Sequence, residues 1–153
     1  MASNKVRTAV AGAATVVMAG TSIVVGADSA AAMPNQCYRG TVICINKDAR
    51  TLRLMINGHT NMQMSARFGA RRSPTRYGTY RVYWKDRNHW SSLYGSAMPY
   101  SLFFDGGQAI HFSSDFVRNG YSGASHGCVN LRSYSGARDL FYSVGVGTRV
   151  VVY

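Results

Sequence analysis

The stretch Ser125-His126-Gly127-Cys128-Val129-Asn130, with His111 upstream after Ala109-Ile110, brings a thiol, two imidazoles and flexible backbone together. Cysteine attacks acyl carbons as the thiolate, and a thiol of ordinary pKa near ~8.5 needs a basic or cationic neighbour to ionise near neutral pH. His111 is the base the sequence offers. Gly127 lets the chain turn sharply, so that the backbone N–H groups around Cys128 can meet a developing oxyanion. The set predicts acyl transfer through a covalent Cys128 intermediate.

Such a site needs a scaffold, and the patterning supplies strands for most of it. Thr41-Val42-Ile43-Cys44-Ile45 and Thr51 to Ile56, parted by Asn46-Lys47-Asp48 and closed by Asn57-Gly58, predict a hairpin. From Asn61 to Arg67, Met62, Met64 and Ala66 alternate with polar residues, the mark of a strand with one buried face. Ser73-Pro74-Thr75-Arg76-Tyr77-Gly78 reads as a turn and Thr79 to Trp84 as one further strand. Lys85 to Tyr100 has no period, and its Trp90, Tyr94, Met98, Pro99 and Tyr100 predict a long aromatic loop over the site or over one end of the core. Leu102-Phe103-Phe104 and Ala109 to Phe112 form two short strands around Asp105-Gly106-Gly107, which puts His111 on a strand or at its end. Ala137, Leu140, Phe141 and Val144 recur at helical spacing, with Ser133 or Ser135 to cap the start and Gly145 to end it. Thr148 to Tyr153 is a closing strand. The reading is a mainly β domain with one helix following the cysteine.

The 153 residues correspond to one domain. Lys5 and Arg7, the apolar run from Ala9 to Ala27, and an Ala-x-Ala site in Ser29-Ala30-Ala31-Ala32 mark residues 1–32 as a secretory signal peptide. An uncleaved anchor is the alternative, but the small residues of the run favour cleavage before Met33. The expected product, residues 33–153, is exported, without stable membrane insertion. Losing Lys5, Arg7 and Asp28 leaves 15 basic and 5 acidic residues, a net charge of +10. That charge suits polyanions in general. Arg39, Arg50, Arg53, Arg67, Arg81, Arg118 and Arg149 are scattered, and read mostly as solvated surface. A nucleic-acid stripe is not evident, and anionic cell-wall polymers are the expected partner. Of three cysteines in an oxidising compartment, Cys37 and Cys44 are the expected pair, leaving Cys128 free.

The chain resembles the L,D-transpeptidase catalytic domain of peptidoglycan cross-linking enzymes. The resemblance rests on Ile110-His111 followed by Ser125 to Asn130, on Pro74 to Val82, on Met98-Pro99-Tyr100 and Gly106 to His111, and on Gly147 to Val151. It extends over roughly Thr41 to Tyr153. It implies a β-sandwich with a helix after the cysteine, Cys128 as nucleophile, His111 as base, and the backbone carbonyl of Phe112, or else Ser113, orienting that base. By the same resemblance His126 and Gly127 complete the catalytic set, with the N–H groups of Gly127 and Cys128 meeting the oxyanion, while Ser125 and Tyr100 contact the peptide and Asn130 and Arg132 orient the loop or contact the peptide. The implied reaction joins the diaminopimelate residues of two stem peptides through a Cys128 thioester, releasing D-alanine, at the cell wall. A thioester keeps the energy of the cleaved amide, so neither a cofactor nor a metal is required.

Three other readings stay open. Water in place of the amine acceptor gives an L,D-carboxypeptidase. His111, His126 and Cys128 are zinc-ligand types, though without Cys-x-x-Cys or His-Glu-x-x-His spacing. A non-catalytic, basic wall-binding module would instead hold Cys128 as a buried structural residue. A papain-like peptidase is disfavoured because its Cys precedes its His, the reverse of the order here. His59 and His89 read as solvated side chains.

Overall fold

The computed structural model describes residues 32–153. The predicted signal segment therefore lies, but for Ala32, outside the described residues. Strands β1 (Thr41–Asn46), β2 (Thr51–Ile56) and β3 (His59–Arg67) form an antiparallel meander. Asn57 and Gly58 both take positive φ between β2 and β3, the backbone that a two-residue hairpin turn demands. β1 is covered on both faces. Ile43 and Ile45 enter the main core, while Val42 and Cys44 face a second cluster with Cys37, Met55 and Val151. A disulfide joins Cys37, in the 3-10 turn Asn35–Tyr38, to Cys44, with 6.0 Å between their Cα atoms.

The remaining elements are β4 (Gly78–Arg81), β5 (Trp84–Ser91), β6 (Ser96–Asp105), β7 (Gln108–Phe112), α1 (Ser114–Asn119), β8 (Val129–Leu131), α2 (Tyr134–Ser143) and β9 (Arg149–Val152). The strands make one sheet in the order β4-β9-β1-β2-β3-β8-β7-β6-β5. Two pairings are parallel, β1 with β9 and β7 with β8. The sheet curls so that Ile43, Leu52 and Leu54 of one half share a core with Leu102, Phe104, Ile110 and Leu131 of the other. The architecture is thus the mainly β sandwich expected, with Ala137, Leu140 and Phe141 of α2 packed into the same core. Among the described residues no helix is long and apolar enough to cross a membrane.

Three expectations are corrected. Residues 79–84 are not one strand: β4 pairs with β9, the chain pivots at buried Val82, whose N–H donates to the Thr148 carbonyl, and β5 begins at Trp84 against β6. Residues 85–100 are not a loop but most of the β5–β6 hairpin. Lys85, Asp86, Arg87 and Asn88 hid it because β5 is the sheet's edge, where charge guards unpaired backbone against another strand. Lys85 also turns inward, its Nζ donating to the Phe141 and Val144 carbonyls at 2.5 and 2.6 Å and so closing the C-terminus of α2. α2 stops at Ser143, short of Gly145, while Ser133 caps its start, accepting from Gly136 N at 2.9 Å. α1 has no counterpart in the sequence reading. It is six residues long, too short for a period, and is held by a Ser113 cap and by buried Phe116.

Candidate active site

The site forms where β3, β8 and β7 meet. In β-sheet register Arg67 lies opposite Asn130, and Asn130 opposite His111. Three polar side chains from three strands therefore stand in one row, all less than a tenth exposed. Asn130 Oδ1 accepts from Arg67 Nη2 at 3.0 Å, and Asn130 Nδ2 lies 3.1 Å from His111 Nε2. Arg67 Nη2 also reaches Asp115 Oδ2 at 2.5 Å, and Nη1 donates to the Gly120 carbonyl at 2.9 Å. At the far end of the row, His111 Nδ1 lies 2.7 Å from the Phe112 carbonyl. A carbonyl only accepts, so Nδ1 carries the hydrogen and Nε2 keeps the lone pair. Burial, together with the charges of His89 and Arg67, pushes the imidazole pKa down to about 4, although the Phe112 carbonyl works the other way.

Cys128 precedes β8 directly, and the parallel pairing of Ile110 with Val129 carries it beside Ala109. Its Sγ accepts from Ala109 N at 3.4 Å and packs with Met98, Phe103 and Ala109. Burial raises the thiol pKa, and the Ala109 N–H offsets only part of that. Burial thus disfavours the charged form of both partners of the expected pair.

The turn before Cys128 is clamped from within and from without. Ser125 Oγ accepts from Gly127 N at 3.2 Å and donates to the Cys128 carbonyl at 2.6 Å. Thr75 Oγ1, fully buried, donates to the Gly127 carbonyl at 2.8 Å and accepts from Gly69 N at 3.0 Å. Gly127 has φ +118°, and a Cβ there would sit 2.8 Å from Gln108 Nε2. Gly69 passes so close that a Cβ would lie 2.0 Å from the Ser73 carbonyl and 2.9 Å from Gly127 Cα. Both positions demand glycine.

His111, Asn130 and Cys128 line one open cleft of about 450 Å³, whose other walls include Trp90, Tyr94, Arg118 and His126. The His126 ring stacks on Tyr94 at 4.1 Å, with the planes 10° apart. Hence the tip of the β5–β6 hairpin does reach the site, as the aromatic-loop expectation allowed.

Several expected roles do not match the geometry. Tyr100 does not line the cleft. Its φ of +58° interrupts the alternation of β6, so Met98 faces the thiol while Tyr100, Leu102 and Phe104 face the main core. Arg132, beyond the end of β8, lies over the Phe116 ring at 5.6 Å and lines a separate groove with Met64 and Asp139. The Ser125 hydroxyl and the Asn130 amide line the cleft but are engaged in the bonds just described, and the Gly127 N–H is given to Ser125 rather than to an oxyanion. His89 is only partly exposed, in T-shaped contact with Trp84 and Phe103 and against Asp86 Oδ2 at 3.0 Å. Against the zinc reading, no group of three His, Cys, Asp or Glu among the described residues could hold a metal ion. The largest omission is Arg67, read from sequence as surface and found buried: the alternation Met62, Met64, Ala66 puts it out of phase with the apolar face, and nothing local marks it. Thr75 was visible only as part of the Pro74 to Val82 stretch.

Residues 40–152 match the L,D-transpeptidase catalytic domain (YkuD). No protein of curated function matches the chain. Among similar solved structures is an L,D-transpeptidase from Stackebrandtia nassauensis, 28% identical, TM-score 0.68, covering 75% of this chain and 56% of that one. Another, from Xylanimonas cellulosilytica, is 29% identical with a TM-score of 0.68, covering 79% and 63%. The L,D-transpeptidase LdtMt1 in complex with imipenem is 26% identical with a TM-score of 0.67, covering 74% and 59%. The chain thus spans less than two thirds of the length of each of these structures.

Proposed function

The chain belongs to the L,D-transpeptidase catalytic-domain family, and on that premise we propose that it cross-links peptidoglycan stem peptides through a thioester on Cys128. The observation that carries the reading is that the only free thiol among the described residues lines the same cleft as a buried imidazole whose Nδ1 is held by the Phe112 carbonyl. In the first half Sγ attacks the carbonyl carbon of the third stem residue, His111 takes the thiol proton and returns it to the departing D-alanine amine. In the second half the side-chain amine of diaminopimelate on another stem attacks the thioester, gives a proton to His111, and the thiol is restored. Burial raises the thiol pKa and lowers the imidazole pKa, so the empty cleft favours the neutral forms of both over a thiolate–imidazolium pair. With the Gly127 N–H committed to Ser125, the N–H of Cys128 is the donor left to meet the oxyanion.

The basic surface, with Arg118 at the cleft, suits stem carboxylates and anionic wall polymers. The signal-like segment and the Cys37–Cys44 bridge support a location outside the cytoplasm. Mass spectrometry of the protein with disaccharide-tetrapeptide, and separately with imipenem, tests the reading beside a Cys128→Ala control. A Cys128-dependent acyl adduct, D-alanine and cross-linked dimers are expected. Tripeptide without dimers would make the enzyme a carboxypeptidase, and an inert Cys128 would overturn the reading.

A further inference from the structure

We infer that Arg67, braced by Asp115, is a positioning residue that sets which way round the Asn130 carboxamide sits, and thereby which nitrogen of His111 is left basic. The inference rests on His111 being the base proposed above, but its chemistry is a matter of donors and acceptors alone. Arg67 carries only donors, so the end of the Asn130 amide that meets it must be the oxygen, and the NH2 end must face His111. The Phe112 carbonyl only accepts, so His111 presents N–H there and a lone pair at Nε2. Each contact along the row from Asp115 through Arg67, Asn130 and His111 to Phe112 then joins a donor to an acceptor, and reversing the amide would break two of them at once. In the resting cleft Nε2 is capped by a neutral N–H rather than by the thiol, whose polar neighbours are Ala109 N and, at 4.0 Å, the Gly107 carbonyl. An imidazolium would set N–H against N–H, so the row holds the base neutral until an acyl donor draws the thiol proton to Nε2.

The register makes this a built arrangement: Arg67, Asn130 and His111 are paired across three adjacent strands. Arg67 is 4% exposed, its guanidinium 5.1 Å from the Phe116 ring, and a Cβ on Gly123 would come within 2.7 Å of Arg67 Nη1, so the guanidinium has little room to turn. The charged and titratable groups around His111 are Arg67 from β3, Cys128 and His126 from the nucleophile turn, Asp115 and Arg118 from α1, and His89 from β5. Of these, Arg67 alone hydrogen-bonds the carboxamide.

The test reads His111 itself and needs no substrate, so it survives failure of the transpeptidase reading. In the 15N-labelled protein, ring-nitrogen NMR is expected to show the Nδ1–H tautomer and a scalar coupling between Asn130 Nδ2 and His111 Nε2 across their hydrogen bond. In Arg67→Met the freed amide turns its oxygen toward an Nε2–H. The His111 midpoint then rises by about one unit or more, and the low-pH limb of iodoacetamide alkylation at Cys128 moves up with it. In an Asn130→Ala background the same Arg67→Met change leaves only the smaller rise that comes from the lost charge. An equal shift with and without Asn130 would show that Arg67 acts by charge alone and overturn the inference. If Arg67→Met does not fold, the wild-type coupling decides: an Nε2–H tautomer without coupling to Asn130 overturns it equally.

Discussion

β1 buries Val42, Ile43, Cys44 and Ile45 among apolar neighbours on both faces, whereas the region where β3, β8 and β7 meet buries the polar residues Arg67, Asn130, His111, Ser113 and Ser125. The first region is held by area removed from water, which tolerates small shifts. The second is held by matched donors and acceptors, each costing roughly 1–3 kcal/mol if orphaned, and so has few acceptable arrangements. The difference teaches where the molecule keeps stability and where it keeps geometry.

The sharpest way to separate the two regions is Cys128→Ser, which should lower peptide turnover by at least about 10³-fold. Its urea midpoint should stay close to wild type, since the half-buried thiol makes only long polar contacts. The opposite case is Leu54→Ala in the fully buried centre of β2: a loss of about 2–5 kcal/mol in urea unfolding, with Cys128 alkylation unchanged in the folded fraction. Acidification should reach the polar region first. The unfolded His111 takes up its proton near pH ~6.5, but the folded one only near pH 4, so its contribution is complete above the higher value and lost as pH falls to the lower. About 3 kcal/mol is at stake, and urea midpoints measured from pH 7 to 4 should fall more steeply in wild type than in His111→Gln. Smallest is Thr75→Val, which orphans Gly69 N and the Gly127 carbonyl together and should cost about 1–3 kcal/mol in the same assay. If Thr75→Val left both stability and turnover untouched, the clamp on the nucleophile turn would be ornamental and the contrast between the regions weaker.

The same contrast explains what could be read from the residues. In β1, β2 and β9 the apolar runs and the Asn57-Gly58 turn are local signals, and the strands follow them. Cys128 and His111 stand out by type and spacing, whereas the Phe112 carbonyl, or else Ser113, comes only from the family resemblance; that carbonyl lies 2.7 Å from His111 Nδ1. Arg67 was not legible, since its meaning comes from register with Asn130, a residue 63 positions away that the local pattern cannot see. The β5–β6 hairpin escaped for a related reason. An edge strand that carries Lys85 to Asn88 looks like a loop until its partner is known. Tyr100 shows the limit from the other side: the resemblance puts it against the peptide, while a positive φ at Tyr100 lets it face the main core.

The placement of β9 carries a consequence in time. It lies between β4 and β1, parallel to β1, with Val42 paired to Arg149 more than a hundred positions away. Until those four residues arrive, β1 keeps a bare edge and β4 has no neighbour in the sheet. The meander β1 to β3 can assemble early from local contacts, but this side of the sheet closes only by a long search that joins the two ends of the domain. Amide protection in β4 and along the outer edge of β1 should therefore appear together and late, in a single step, however early the rest of the sheet has formed.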